Sequence, residues 1–111
     1  MMNAFYIEIV PPDRKSWRFL LPAEQLLVGR SPNRCQLVLT DPRISRIRLR
    51  INRSSDLGVT ITDIYSANGS FLDGHPLPPG MAITWLTDQV ASIGSTQLTL
   101  RYGQPPSEVS S

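Results

Sequence analysis

Apolar and polar residues alternate with a period of two along most of the chain, in short runs separated by Gly, Pro, Asn and Asp. Such alternation predicts strands with one buried side, and the separating residues favour turns. No stretch shows the apolar period of about 3.6 residues that predicts a helix. The predicted strands are residues 5–9, 17–21, 25–29, 36–39, 47–52, 59–64, 71–72, 76–77, 81–86, 89–93 and 97–102. This pattern predicts an all-β protein, an antiparallel β-sandwich with function carried on loops at one end.

The run at residues 47–52 has the clearest alternation in the chain. One predicted face is apolar and the other carries guanidinium groups, so we expect the first in the core and the second in solvent. The two sets are Ile47, Leu49 and Ile51, and Arg46, Arg48 and Arg50. Trp17 and Trp85 also fall at strand positions and are predicted to anchor the core.

Residues 63–74, with the sequence DIYSANGSFLDG, contain two turn signals. The first is Asn68 followed by Gly69, and the second is Asp73 followed by Gly74. Asn and Gly tolerate positive φ, so the backbone can turn sharply there and present its amide groups outward. One interpretation of Asn68 and Gly69 is a plain hairpin turn, and the other is a binding loop.

The composition favours a single compact domain. The chain has 111 residues, of which 41% are hydrophobic, and a chain of this length can bury a core. We assign residues 1–103 to this domain. The polar segment at residues 104–111, QPPSEVSS, is predicted to be a disordered tail or the start of a linker. The oligomeric state is left open.

Cysteine content and hydropathy narrow the class of protein. Cys35 is the one cysteine, which excludes an internal disulfide and a zinc site with several cysteine ligands. We predict no metal and no other cofactor. The first residues, MMNAFYIEIV, form no basic leader, and no stretch reaches the roughly 18 apolar residues of a membrane span. The chain is therefore expected to be soluble and cytoplasmic, without a membrane partner.

Basic residues are concentrated in the middle of the chain. Seven of the eleven Lys and Arg residues, all of them Arg, lie between Arg30 and Arg53, and Asp41 is the one acidic residue in that interval. Such a cluster favours an anionic partner, and a planar guanidinium can hold phosphate oxygens in a bidentate way. The alternative is a solvated strand face that Arg residues keep soluble.

Loop motifs occur in a fixed order between the predicted strands. They are GRS at residues 29–31, SRIR at residues 45–48, SANGS at residues 66–70 and DG at residues 73–74. Together they resemble the forkhead-associated (FHA) domain, whose pattern runs Gly-Arg, Ser-Arg-x-His, Asn-Gly-Thr and Asn-Gly. The resemblance covers residues 6–102. It implies a β-sandwich of about eleven short strands that binds phosphothreonine in an extended peptide through three loops.

The resemblance also implies roles for individual residues. A phosphate monoester carries about −1.5 to −2 charges near neutral pH, so its receptor needs cations and short donors that converge on one point. Arg30 would provide a guanidinium fork, Ser45 a hydroxyl and Arg46 a second cation, while Asn68 would bond to the peptide main chain. The predicted phosphopeptide-binding residues are Arg30, Ser45, Arg46, Ser66, Ala67 and Asn68, and the predicted loop-bracing residues are Gly29, Arg48, Gly69 and Ser70.

Four positions depart from the family pattern. Ala67 stands where many relatives carry a hydroxyl that helps to hold the phosphate, so that donor is missing. Arg48 replaces a histidine that braces the loops, which leaves open a different brace, a rebuilt site or a lost one. Ser70 in place of Thr keeps a hydroxyl. Asp73 in place of Asn keeps the turn but adds a negative charge that would disfavour acidic ligand flanks.

Three other functions are weighed against phosphopeptide recognition. A degenerate domain of the same fold would serve as a scaffold for phosphorylation-independent protein contacts. Nucleic-acid binding would use the same Arg cluster, but this stretch lacks aromatic residues for base stacking and a helix for a DNA groove. An enzyme is not predicted, because the single histidine, His75, lies in a turn beside Pro76 with no Cys or acid in evident partnership.

Overall fold

The computed structural model describes residues 3–54 and 58–104. Within these ranges it contains eleven strands and no helix, and hence no helix of the length and hydropathy that crossing a membrane requires. The strands are β1 (Ala4–Val10), β2 (Trp17–Leu20), β3 (Leu26–Gly29), β4 (Leu37–Val38), β5 (Leu49–Ser54), β6 (Gly58–Asp63), β7 (Ser70–Leu72), β8 (His75–Pro76), β9 (Ile83–Thr84), β10 (Val90–Ile93) and β11 (Thr96–Gly103). Each lies on one of the predicted runs.

The strands form two sheets, as the sequence predicts. One sheet has the order β2-β1-β11-β10-β7-β8 and the other the order β4-β3-β5-β6-β9. Neighbouring strands are antiparallel, with the exception of β3 and β4, which pair in parallel. The chain leaves β3 at Gly29, turns through residues 30–36 and returns beside β3 in the same direction. The predicted antiparallel β-sandwich is confirmed, with this one parallel pair added to it.

The core lies between the two sheets and is formed by the inward residues of nearly every strand. Ile7, Ile9 and Leu98 from one sheet and Ile51 and Ile61 from the other have no exposed surface. Alternate side chains of a strand point to opposite faces. Burial of one face between the two sheets therefore explains the period of two in the sequence.

Of the two tryptophans predicted to anchor the core, one does so. Trp85 is buried, and its indole N–H donates to the carbonyl of Gln89 at 3.0 Å. For Trp17 the prediction is wrong, because its side chain is 39% exposed. It lies on β2, an edge strand whose residues are mostly exposed, and it contacts Phe19 edge to face.

The predicted guanidinium face of β5 is wrong at one position. The strand begins at Leu49, so Arg46, Ile47 and Arg48 belong to the preceding loop and do not follow its alternation. Arg46 is exposed as predicted, but Arg48 is fully buried. A charged group in that position needs hydrogen-bond partners, which the loops provide.

The two turn signals have different structural roles. Asp73 and Gly74, with φ of 48° and 82°, form the two-residue turn of the hairpin between β7 and β8. Asn68 and Gly69 lie instead between β6 and β7, which belong to different sheets. The Asn-Gly pair is therefore no hairpin turn, and it lies in a loop that crosses from one sheet to the other. Of the predicted tail, residues 105–111 lie outside the described residues.

Candidate functional site

Three loops carry the residues that the sequence motifs single out. The β3–β4 loop comprises residues 30–36, the β4–β5 loop residues 39–48 and the β6–β7 loop residues 64–69. Backbone and side-chain hydrogen bonds join the first loop to the second and the second to the third. The described contacts therefore make one connected unit of the three loops.

The β3–β4 loop is fixed to the β4–β5 loop through the carbonyl of Arg46. That oxygen accepts hydrogen bonds from the backbone N–H of Arg30 and of Ser31, both at 3.0 Å, and from the thiol of Cys35 at 3.3 Å. The N–H of Arg30 also donates to the carbonyl of Ser45 at 3.1 Å. Residues of the GR and SR motifs are thereby held side by side through their backbones.

Gly29 allows this close approach because it has no Cβ. A Cβ at this position would lie 2.2 Å from the carbonyl oxygen of Arg46 and 2.8 Å from the Cα of Ile47. Both neighbours are backbone atoms that cannot move without opening the contact between the loops. The glycine of the GR motif is thus required by space, not by its backbone angles.

Arg48 joins the β4–β5 loop to the β6–β7 loop from a buried position. Its Nε donates to the hydroxyl of Ser70 at 3.2 Å and its Nη1 to the carbonyl of Arg43 at 3.4 Å. Its Nη2 donates to the carbonyl of Gly69. Three nitrogens of one planar group therefore contact acceptors on two loops and at the start of β7, and we call this set of contacts the Arg48 brace.

Asp63 places a buried carboxylate beside this brace. Its Oδ1 accepts hydrogen bonds from the hydroxyls of Ser66 at 2.6 Å and Ser70 at 2.5 Å, and its Oδ2 accepts one from the N–H of Ser66 at 3.1 Å. Burial lowers the pKa of Arg48, and the negative charges of Asp63 and Asp41 oppose that effect. Arg48 remains cationic at neutral pH because guanidinium groups do not lose their proton in proteins.

Ser70 and Ser66 both donate to the buried carboxylate of Asp63. Ser70 also accepts a hydrogen bond from Arg48. Ser66 was predicted to bind the phosphopeptide, but its one hydroxyl proton is committed to Asp63. The Ser66 hydroxyl thus contacts the carboxylate beside the brace, and its binding to a phosphopeptide stays a prediction.

Asp63 was not among the predicted site residues, although the sequence contained a signal for it. It follows Val59 and Ile61 on the buried side of β6, at a spacing of two residues. A carboxylate at an inward position needs hydrogen-bond donors, and Ser66 and Ser70 are short donors nearby in the chain. This reasoning would have found the Asp63 cluster.

A second buried carboxylate, Asp41, joins the β4–β5 loop to the other sheet. Its Oδ2 accepts from the N–H of Ser95 at 2.8 Å and from the hydroxyl of Thr96 at 3.3 Å, and its Oδ1 accepts from the N–H of Arg43 at 3.0 Å. Burial raises the pKa of Asp41, but these hydrogen bonds and the charge of Arg43 outweigh burial and hold the pKa below its ordinary value.

The remaining candidate residues face outward. Arg30, Arg46, Ala67 and Asn68 are exposed, and Ser45 is half-buried. Asp73, by contrast, lies at the β7–β8 turn, outside the three loops, where its Oδ1 accepts a hydrogen bond from the N–H of Val90 at 2.9 Å.

An open cavity lies between the first two loops. It has a volume of about 400 Å³ and is lined by Arg34, Ser45, Arg46 and Ile47. The structure thus brings Ser45 and Arg46 together at one cavity, while Arg30 and Asn68 lie outside its lining. Arg34 is a lining residue that no sequence motif indicated.

The guanidinium groups near this cavity are not neutralised by acidic side chains. Within residues 3–54 and 58–104, the salt bridges of the protein involve Arg14, Arg43 and Arg101, and none involves Arg30, Arg34 or Arg46. The same ranges contain no group of three or more His, Cys, Asp or Glu residues that could hold a metal ion. The chemistry of the cavity is that of cationic and hydroxyl donors.

Comparisons with known proteins agree with this architecture. The family model of the FHA domain matches residues 26–90. The FHA domain of the CT664 protein from Chlamydia trachomatis superposes with a TM-score of 0.77 at 26% identity, covering 88% of this chain and 96% of that one. The FHA domain of a hypothetical protein from Arabidopsis thaliana gives a TM-score of 0.79 at 24% identity, with coverages of 96% and 92%.

A third similar structure contains a ligand. The MEK1 FHA domain in complex with a phosphothreonine peptide of HOP1 has a TM-score of 0.68 at 23% identity, covering 86% of this chain and 94% of that one. No curated protein matches the sequence significantly.

Proposed function

The chain belongs to the FHA domain family, and on that premise we propose that it is a non-catalytic recognition module that binds phosphothreonine in an extended peptide. The observation that carries the proposal is the cavity at Ser45 and Arg46, whose lining combines a hydroxyl with guanidinium groups that form no salt bridge within the described part of the chain. A phosphate monoester needs this combination, because it carries about −1.5 to −2 charges and three acceptor oxygens.

The brace at Arg48 supports the proposal where the sequence departs from the family pattern. The histidine expected there is replaced, yet Arg48 contacts the carbonyls of Arg43 and Gly69 and the hydroxyl of Ser70. A bound peptide requires the loops to be held in place before it arrives, since ordering them on binding would reduce the affinity. The replacement is therefore compatible with a functional site.

We assign complementary tasks to the outward-facing residues. Arg30 and Arg46 would contact phosphate oxygens through charge-assisted hydrogen bonds, and Ser45 would donate its hydroxyl. Asn68, on the β6–β7 loop, would donate and accept at the main chain of the peptide. The phosphothreonine peptide bound to the MEK1 FHA domain supports this class of ligand, and the proposal excludes any chemical step on the peptide.

The experiment that tests the function is a titration of a degenerate phosphothreonine peptide library against the domain, with the unphosphorylated library as its control. We expect measurable binding of the phosphorylated library alone. Equal weak binding of both libraries would overturn the proposal and favour a degenerate scaffold.

Substitution of Arg30 tests whether the phosphopeptide binds at the three loops. Arg30→Ala is expected to weaken binding of the phosphorylated library about tenfold or more, which corresponds to about 1.5–3 kcal/mol for a hydrogen bond to a charged group. Arg18→Ala removes the same charge from β2, outside the three loops, and is the matched control. Equal affinities of the two variants would contradict the assignment of Arg30.

Nucleic-acid binding predicts a different result. It requires a graded loss of affinity across Arg43, Arg50 and Arg53 and a steep dependence on salt. In the structure Arg43 lies 3.6 Å from the carboxylate of Asp41, and the guanidinium carbon of Arg53 lies 5.3 Å from the ring centroid of Phe5. These two arginines are therefore in different environments.

A further inference from the structure

We propose that Arg34 is a phosphate-binding residue of this protein, at a cavity between the β3–β4 and β4–β5 loops. The inference rests on the proposed function and adds to it a residue that lies outside the family motifs. Its basis is the cavity of about 400 Å³ that Arg34 lines together with Ser45, Arg46 and Ile47.

Arg34 occupies a fixed position at the end of a tight turn. Its N–H donates to the carbonyl of Ser31 at 3.2 Å, and the N–H of Cys35 donates to the same oxygen at 3.0 Å. Pro32 follows Ser31, at a turn position where its fixed φ is favourable. The backbone from which the Arg34 side chain extends is thereby held by local hydrogen bonds.

This turn is anchored to the backbone of Arg46 on both sides of Arg34. The N–H of Ser31 and the thiol of Cys35 both donate to the carbonyl of Arg46. Burial raises the pKa of the Cys35 thiol, against the opposing effects of a hydrogen bond with the Ser31 backbone and the charge of Arg34, so the thiol keeps the proton that it donates. Arg34 and Arg46 therefore approach the cavity from one rigid unit.

The cavity has the charge that a phosphate dianion requires. Two of its four lining residues are arginines, one is a serine, and none is acidic. Neither Arg34 nor Arg46 forms a salt bridge with an acidic residue in the described part of the chain. An incoming phosphate would thus gain two guanidinium groups without displacing a carboxylate from either one.

The composition of the cavity favours the phosphate over an apolar flanking side chain of the peptide, because two of its four lining residues are arginines and one is a serine. Ser45, the residue implied to contact the phosphate, is part of the same lining as Arg34. We therefore infer that Arg34 contacts the phosphate and not a flanking residue.

The test uses a probe without flanking residues, N-acetyl-O-phosphothreonine N-methylamide, titrated by two-dimensional ¹H–¹⁵N NMR at physiological ionic strength. We expect Arg34→Gln to weaken binding of the probe about fivefold or more and Arg34→Lys to weaken it less, because Lys keeps the charge without the planar fork. Arg18→Gln is the control for the loss of one positive charge and is expected to stay within about twofold of the wild type. The spectra also show whether each variant remains folded.

The possible results separate this inference from the function on which it rests. If the wild type binds the probe and Arg34→Gln binds it as Arg18→Gln does, Arg34 is not a phosphate ligand and the proposed function stands. If the loss at Arg34→Gln appears only with peptides that carry acidic flanks, Arg34 contacts the flank and the inference is wrong. If the wild type binds neither the probe nor phosphothreonine peptides, both proposals fail.

Discussion

Arg48 performs from a buried position a task for which the family pattern uses a histidine. An imidazole offers two nitrogens, whereas the guanidinium offers five N–H donors in a fixed plane. Arg48 directs three of its nitrogens to Ser70, Arg43 and Gly69. The cost of burying its charge is offset by these acceptors and by the charges of Asp63 and Asp41. One side chain thus fixes the geometry between two loops.

Replacing Arg48 should reveal how much stability this brace contributes. We expect Arg48→Met to lower the free energy of unfolding by about 3–5 kcal/mol, because it leaves the buried carboxylate of Asp63 without a nearby cation and two carbonyls without donors. Urea denaturation followed by the fluorescence of Trp85 measures the change. Arg50→Met, on the half-buried side of β5, is the control, and an equal effect of both substitutions would argue against the brace.

Gly29 offers a second test at the same scale. Gly29→Ala places a methyl group 2.2 Å from the carbonyl oxygen of Arg46, which should cost at least about 1–3 kcal/mol in stability, as overpacking does. It should also weaken phosphopeptide binding, since Arg46 must move. Gly103→Ala meets no atom within 4 Å and is expected to change neither quantity. Equal unfolding free energies for both variants would show that the loops tolerate the added group.

The burial of Arg48 and the position of Arg34 could not be predicted from the sequence. The bracing role of Arg48 was implied by its place in a family motif, but its burial was not, because local alternation assigned it to a solvent-facing side. The structure reverses that assignment because β5 begins at Leu49, two residues after the start of the predicted run. Arg34 lay outside every motif, and only the fold of the β3–β4 loop brings it to the cavity at Ser45.

At the scale of elements, the strands were predictable and their pairing less so. The alternation of apolar and polar residues depends on whether one side of a strand is buried, so each strand can be predicted from its own segment of the sequence. Which strands become neighbours depends on contacts distant in the chain, such as β1 with β11. The parallel pairing of β3 with β4 is of this kind, and nothing local distinguishes these strands from antiparallel ones.

The Asp41 link between the β4–β5 loop and the β10–β11 turn makes stability depend on pH. Its pKa in the folded protein lies below its ordinary value, so its contribution is present above the unfolded pKa of about 3.9 and is lost as the pH falls through the folded pKa. We expect Asp41→Asn to be less stable than the wild type at pH 7 by about 1.5–3 kcal/mol, the range for hydrogen bonds to a charged group.

The difference between Asp41→Asn and the wild type should shrink as the pH is lowered below about 4. Thermal unfolding across a pH series measures it. Asp13→Asn changes an exposed carboxylate and serves as the control. If the difference in stability between Asp41→Asn and the wild type does not change with pH, the charge of Asp41 does not contribute to stability.

On the scale of the whole molecule, the fold distributes the central arginines among different tasks. Arg30, Arg34 and Arg46 lie on two loops at one end, Arg48 is buried between loops, and Arg53 stacks on Phe5. A cluster that is continuous in the sequence is therefore divided in space. The sequence could indicate an anionic partner from the count of arginines, but only the fold shows which of them remain free to meet it.

Because the Arg48 brace contains no histidine, it bears on how phosphopeptide binding should depend on pH. His75 is the one histidine of the chain, and it is exposed on β8, away from the three loops. Arg48 keeps its charge between pH 5 and 8, because guanidinium groups do not lose their proton in proteins. The ligand titrates in this range, because a phosphate monoester gains its second charge at about pH 6.

We therefore expect the affinity for a phosphothreonine peptide to rise from pH 5 to pH 7 as a single-proton transition near pH 6, as measured by fluorescence anisotropy. A peptide with a phosphonodifluoromethyl group, whose second proton leaves at lower pH, should show the transition displaced downward. A transition that is unaffected by this exchange would place the titrating group in the protein. With Arg48 at its centre, the domain would detect whether its partner has been phosphorylated, and the pH of its surroundings would act on binding through the charge of the phosphate.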